Sequence, residues 1–268
     1  MTVPVRTVPS TDTEGLADTL WRAWHENCPL AMATLEGALQ DFETAYHVQE
    51  AVLAKKGEPT QGYKISLTSA ETQRLFDTTE PLYGAQIPSR LLPSPAVVHL
   101  ASMNAPLIEV EIAMRAKADL TPEMSLDVLL QNVTIASDIE VPDARFRDWF
   151  PRLNKYLVVA DCAVGGYIVY GRERDGATMR LEDMAHIEVE LWHNGRVIRR
   201  GRSSEVLGNP MNALAWLVNK LHQHGKVLRR GTLVSTGTFF VPPALKAGLY
   251  EAHFTGALTE TVTLTVTP

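Results

Sequence analysis

Pro106-Leu-Ile-Glu-Val-Glu-Ile-Ala-Met114 is the stretch on which the fold turns. Apolar residues fall at Ile108, Val110, Ile112 and Met114, at every second position, which is the period of a β-strand. Glu109 and Glu111 therefore project together from the opposite face. Positions i and i+2 of a strand lie roughly 6.6 Å apart, and from there two flexible carboxylates can converge on one cation. A hard divalent ion takes such a site: a few carboxylate oxygens, with positions left open for water or substrate. A second strand-like stretch, Thr134-Ile-Ala-Ser-Asp-Ile-Glu140, can supply a third carboxylate in Glu140. Alternation alone does not settle the matter, because a solvated strand face carries the same pattern. The chain holds its own control: His186-Ile-Glu188-Val-Glu190-Leu alternates in the same way.

Around this stretch, from Gly62 onward, short strands broken by proline and glycine are expected at 63–67, 96–100, 107–114, 134–140, 165–170, 187–193, 196–200, 233–236 and 262–266. His193-Asn194-Gly195-Arg196 carries the Asn-Gly signal of a hairpin turn. The first sixty residues read as helical instead. Thr11-Asp-Thr-Glu14 fits a capping box, and Leu16, Leu20 and Trp24 recur on one helical face up to Cys28-Pro29. A second helix is expected from Asp41 to Lys56, lined by Phe42, Ala45, Tyr46, Gln49, Val52 and Leu53 and capped by Gly57. A later helix starts at Asn209-Pro210 and runs to Gly225. Many strands and few helices point to an α+β fold, with a helical segment at 1–61 packed on a strand-rich unit at 62–268.

Gly62-Tyr-Lys-Ile-Ser-Leu-Thr-Ser69, preceded by Ala45-Tyr-His-Val-Gln49, resembles the "AYxxQ…GxKIGLTS" signature of the 2-hydroxypenta-2,4-dienoate hydratase and 4-oxalocrotonate decarboxylase group of the fumarylacetoacetate hydrolase superfamily. The likeness continues through Glu109-Val-Glu111 and Ile139-Glu140-Val-Pro-Asp-Ala-Arg145, then Asp148-Trp149 and Val159-Ala-Asp161. It extends to Gly208-Asn-Pro210, Ala215-Trp-Leu-Val-Asn219 and Thr236-Gly237-Thr238. Each motif is short; their order and spacing together carry the resemblance.

The resemblance implies a mixed β-roll with the helical N-terminus beside it. It implies Mg²⁺ or Mn²⁺ held by Glu109, Glu111 and Glu140, and a small 2-oxo or 2-hydroxy carboxylic acid as substrate. Lys64 matches the lysine of "KIGLTS", and the resemblance makes it the residue that neutralises the substrate or relays a proton. Ser66, Thr68, Gly237 and Thr238 follow as substrate contacts. The implied reaction is hydration of a 2-hydroxy-dienoate to a 4-hydroxy-2-oxo acid in the catabolism of aromatic-ring cleavage products. Alternatives are a 4-oxalocrotonate-type decarboxylase and a non-catalytic binder of a small 2-oxo acid. Relatives are commonly homo-oligomers, and Trp21, Trp24 and Phe42 give the N-terminus apolar surface to bury.

Three departures stand out. Ser66 replaces a usual glycine, Cys162 follows Asp161 where asparagine is typical, and the segment from Glu80 to Arg90 lacks an acid soon after Gly84. The hydrolase-type "NYxxHxxE" segment is missing, and the eight histidines show no metal-ligand spacing apart from His222-x-His224. Arg90 and Arg145, the arginines available for a second substrate carboxylate, read as surface or ion-pair residues.

Composition narrows the class further. With 45% hydrophobic and 21% charged residues the chain is that of an ordinary globular protein. A net charge of −6 argues against nucleic acid as partner, even with Arg196, Arg199, Arg200 and Arg202 clustered. Two cysteines without metal spacing suit a reduced cytoplasmic setting, and no apolar run is long enough to span a membrane.

Overall fold

Two helices precede the first strand in the structure, a computed structural model that describes residues 12–268. Helix α1 (Thr13–His25) is capped by Asp12, which accepts a hydrogen bond from the Gly15 N–H at 2.9 Å; Thr11 of the expected capping box lies outside the described residues. α1 ends at His25, a turn before Pro29, and buries Ala17, Leu20 and Ala23 most deeply. Helix α2 (Phe42–Lys56) has the expected ends: Asp41 accepts from Thr44 N–H, and Gly57 takes the left-handed conformation at φ 73°. Short helices α3 (Ala70–Leu75), α4 (Leu126–Gln131) and α5 (Lys155–Ala160) went unread in the sequence, whereas α6 (Pro210–Gln223) starts from its Asn209 cap.

The strands are β1 (Gly62–Ser66), β2 (Leu82–Gln86), β3 (Leu91–Pro93), β4 (Ala96–His99), β5 (Glu109–Ala116), β6 (Val133–Val141) and β7 (Tyr167–Tyr170). After them come β8 (Arg174–Asp175), β9 (Glu188–His193), β10 (Arg196–Arg202), β11 (Leu233–Ser235), β12 (Gly248–Thr255) and β13 (Glu260–Thr267). They form two curled sheets of mixed direction. The larger runs β2-β1-β11-β5-β6-β7-β3 with β8 on β6, and the smaller runs β10-β9-β12-β13-β4. β1–β11, β3–β7 and β4–β13 are parallel pairs; the rest are antiparallel. The Asn194-Gly195 turn joins β9 to β10 with both residues at positive φ, as the hairpin signal required. This is the mixed β-roll with a helical N-terminal segment. One apolar core includes residues from α1 and α2 together with both sheets.

The Ala45-Tyr-His-Val-Gln49 motif is a structural clamp. Gln49 donates to the carbonyls of Tyr83 (3.2 Å) and Val159 (2.7 Å) and accepts from Ala85 N–H (3.0 Å), while the Tyr46 hydroxyl accepts from Tyr83 N–H (3.2 Å). Seven groups that would be costly to bury unpaired are thus satisfied, and α2 is fixed against β2 and α5.

Strand register places the site. β5 and β6 pair so that Glu109 lies opposite Glu140 and Glu111 opposite Asp138. On the other side of β5, Ala113 lies opposite Ser235 of β11, which lies opposite Lys64 of β1. Directly paired residues, and residues two apart along a strand, share a sheet face. Lys64, Ser235, Glu109, Glu111, Asp138 and Glu140 therefore all project from one face of the larger sheet. On the other face Ile108, Val110, Ile112 and Ile139 are fully buried. The carboxylate face is covered too, since Glu111 and Glu140 are each 1% exposed.

Candidate active site

One oxygen from each of Glu109, Glu111 and Glu140 lies within 4.8 Å of the others, the single such acidic cluster among the described residues. Lys64, on the neighbouring β1, points its Nζ at the cluster: 2.6 Å from Glu140 Oε1 and 4.0 Å from Glu109 Oε2. Glu188 and Glu190 take no part in it. The Glu140 Oε2 atom is buried and meets no hydrogen-bond donor among the described residues. A buried acceptor left without a donor, beside two more carboxylates, is the arrangement a cation satisfies. The donor set is all oxygen, which suits a hard divalent ion.

Glu111 is held from behind. Gly237 N–H donates to its Oε2 at 2.5 Å, and the Ser235 hydroxyl lies 2.6 Å from that oxygen and 2.7 Å from Asp138 Oδ2. One hydroxyl hydrogen serves only one of the two carboxylates at a time, so the site is short of positive charge. Burial, and then the neighbouring acids, push Glu111 well above the usual carboxylate range. Burial also pushes Asp138 up, against the Ser235 hydrogen bond that favours its charge. Glu109 is raised to about 8, by burial first and Glu140 after it, with Lys64 opposing. Glu140 is raised by burial despite Lys64. For Lys64 burial opposes the charge, but Glu140, Glu109 and Glu111 outweigh it and hold its pKa above the usual value.

Lys64, Glu109 and Glu111 line a cleft that opens to solvent. Ser66 and Thr238 line it beside Lys64, Glu109 and Glu111. The Ser66 hydroxyl has no partner among the described residues, whereas Thr238 donates to the Phe240 carbonyl at 3.0 Å. Thr68 and Gly237 are placed differently. Thr68 is buried with its hydroxyl packed over Gly237, where an added Cβ would meet Thr68 Oγ1 at 2.1 Å. Gly237, at φ 120°, permits that approach and aims its N–H at Glu111. Apart from Thr72, whose hydroxyl donates to the Ser69 carbonyl, the other cleft walls are apolar, with Leu67, Phe76, Leu107, Trp149, Phe150 and Val158 among them. Leu67 stands at φ 60°, a left-handed conformation that costs a non-glycine residue roughly 1–2 kcal/mol, directly on the cleft wall.

Arg145 is buried in an ion pair with Asp161, 2.9 Å from Nε to Oδ1, and donates a further bond to the Gly165 carbonyl. Arg90 lies with its guanidinium over the rings of Tyr167 and Trp24, at 4.5 and 5.4 Å, away from the cleft. Ser235, and the cleft walls at Phe76 and Phe150, were not read from the sequence. A signal for Asp138 existed, since it sits two residues before Glu140 on the same strand face.

No family model matches the chain. Its relatives do. The 2-keto-4-pentenoate hydratase of Paraburkholderia phymatum is 35% identical over 234 residues, 86% of each chain. A solved structure of 4-oxalocrotonate decarboxylase from Pseudomonas putida G7, complexed with magnesium and adipate, superposes with a TM-score of 0.87 at 24% identity, covering 98% of this chain and 100% of that one. A fumarylacetoacetate hydrolase family protein from Yersinia pestis shares the fold at a TM-score of 0.57 and 15% identity over 78% of this chain and 94% of its own. The architecture is thus that of the fumarylacetoacetate hydrolase fold. Within it, the chain belongs to the 2-keto-4-pentenoate hydratase family, which its hydratase relatives define along most of its length.

Proposed function

We propose that the protein is a divalent-cation-dependent hydratase that adds water to a 2-hydroxy-dienoate, through its 2-oxo-enoate tautomer, to give a 4-hydroxy-2-oxo acid. The observation that carries this reading is the convergence of Glu109, Glu111 and Glu140 beside Lys64, with Lys64, Glu109 and Glu111 lining a cleft. Glu109, Glu111 and Glu140 would hold Mg²⁺ or Mn²⁺, whose Lewis acidity, when the ion is bound, stabilises negative charge on the substrate's 2-oxygen. Lys64 is the one cationic side chain lining the cleft among the described residues, so it faces the substrate carboxylate and fixes which end enters first. Its ammonium can also hand a proton to the carbon chain as the dienol becomes the enone. Ser66, two residues on and on the same strand face, has a hydroxyl free to hold the water that attacks carbon 4. The apolar walls keep other water away from the reacting chain.

Incubating the Mg²⁺-loaded protein with 2-hydroxypenta-2,4-dienoate and following the products by NMR tests this reading; 4-hydroxy-2-oxopentanoate is expected. Carbon dioxide release from 2-oxohex-3-enedioate, without hydration of the dienoate, replaces it with the decarboxylase. Silence on both leaves a binder of a small 2-oxo acid. The same proposal takes the protein as a cytoplasmic homo-oligomer, and light scattering that shows a monomer at micromolar concentration rejects that part.

A further inference from the structure

Beyond Lys64, Glu109 and Glu111 the cleft changes character. Its remaining walls include Leu67, Phe76, Leu107, Trp149, Phe150 and Val158, and the rings are set against one another: Trp149 to Phe150 edge-on at 5.5 Å, Phe76 to Phe150 tilted at 6.1 Å. The Trp149 indole N–H is spent on the Ala105 carbonyl at 2.9 Å, which leaves hydrocarbon surface for the cleft. No cation near these rings lines the cleft: Arg147 and Arg152, which flank Trp149 and Phe150 in sequence, are exposed at the surface. Arg145 is bound to Asp161 and Gly165, Arg90 lies between two aromatic rings outside the cleft, and Lys155 pairs with Asp77 on a different surface. A carboxylate brought to this end would lose its hydration with nothing in exchange, whereas a hydrocarbon chain would lose only unfavourable contact with water.

We propose that the substrate is a 2-hydroxy-dienoate or 2-oxo-enoate whose far end is an uncharged hydrocarbon extending past carbon 5, and that Phe76, Trp149 and Phe150 set this preference. The head-group half of the statement rests on the hydratase reading; the tail half rests on these walls.

Calorimetric titration of 2-oxopentanoate, 2-oxohexanoate, 2-oxooctanoate and 2-oxohexanedioate into the Mg²⁺-loaded protein tests the tail without requiring turnover. Each added methylene is expected to tighten binding roughly fourfold. The dicarboxylate is expected to bind more than about tenfold more weakly than 2-oxohexanoate. Equal affinity along the series, or tighter binding of the dicarboxylate, overturns the proposal. Phe150→Arg places a cation at a half-buried wall position and is expected to reverse the order of the two six-carbon acids; an unchanged order in the folded variant counts against Phe150 as a determinant. Hydration of 2-hydroxypenta-2,4-dienoate, assayed in parallel, separates the two readings. A clear chain-length gain with no turnover supports the tail preference and removes the hydratase. Full turnover with a flat series keeps the hydratase and removes the tail preference.

Discussion

The tripeptide Glu-Val-Glu occurs twice, at 109–111 and 188–190, and the two copies have opposite fates. Both lie on strands and both bury the central valine. What differs is the residue across the ladder. β9 pairs with β10, so Glu188 faces Arg202 and Glu190 faces Arg200, with the Glu190 carboxylate accepting from Arg200 Nε at 2.8 Å. That is an ordinary exposed cross-strand charge pair. β5 pairs with β6, so Glu109 faces Glu140 and Glu111 faces Asp138; Glu111, Asp138 and Glu140 lie beneath the protein surface, and Glu109 is 13% exposed. Like charges set directly opposite are destabilising. Such a pairing stores a demand for positive charge that Lys64 alone meets only in part. A metal site is therefore told from a solvated face by its cross-strand neighbours, not by its own sequence.

The strongest way to break this comparison is to remove one carboxylate from each copy. Glu111→Gln is expected to weaken Mg²⁺ binding on the order of 100-fold or more, while Glu190→Gln binds as wild type does; calorimetry showing the two alike would abolish the distinction. Next in size is Lys64→Ala. Turnover is expected to fall on the order of 10²–10⁴-fold with cation affinity undiminished, because the ammonium competes with the cation for Glu140 and serves the substrate. Lys64→Arg should not restore the rate, since a planar fork does not fit the space of a compact ammonium. Loss of folding without a specific catalytic defect would return Lys64 to a purely structural role.

The pH dependence sharpens the contrast more gently. Burial, then Glu140, raises the Glu109 carboxyl to about 8, so below that pH a proton must leave before a cation can bind. Mg²⁺ affinity is expected to rise by up to about tenfold per pH unit toward pH 8 and to level off above it. In cation-free buffer the sign is opposite. The unfolded chain releases this proton near the ordinary carboxylate value and the folded chain only near 8, so stability should decline as pH rises through that window. Melting curves across the window check this, and a flat profile would contradict the burial of Glu109. Glu190 is held below the usual carboxylate range by Arg200, and Glu190→Gln should leave both slopes unchanged. The smallest effect belongs to that exposed pair: Arg200→Ala is expected to change unfolding free energy by less than about 1 kcal/mol in urea.

Helix ends were plain in the sequence where side chains cap the backbone, as at Asp41 with Gly57 and at Asn209-Pro210. Strands were plain where one face is polar. β2, Leu82-Tyr-Gly-Ala-Gln86, is buried at all five positions and shows no alternation, so it escaped notice. β12 alternates Tyr250, Ala252 and Phe254 inward but is introduced by glycine, and it was passed over as well. The three glutamates and Lys64 became legible through ordered motifs, not through periodicity. Ser235 could not be read at all, because its place between Glu111 and Asp138 arises from the register of three strands distant in sequence.

The pairing of Glu109 with Glu140 also decides where the chain tolerates a change of length. A single residue inserted into β5 or β6 would turn the carboxylates on one side of it to the other face, dismantling the cluster in one step. The connection from Lys117 to Asn132, which contains α4, joins the two strands at the end remote from Glu109 and Glu140. Leu120, Leu129 and Leu130 of that connection are buried, but its turn around Glu123 and Ser125 is exposed, and additions at that turn are expected to leave the facing pairs in place.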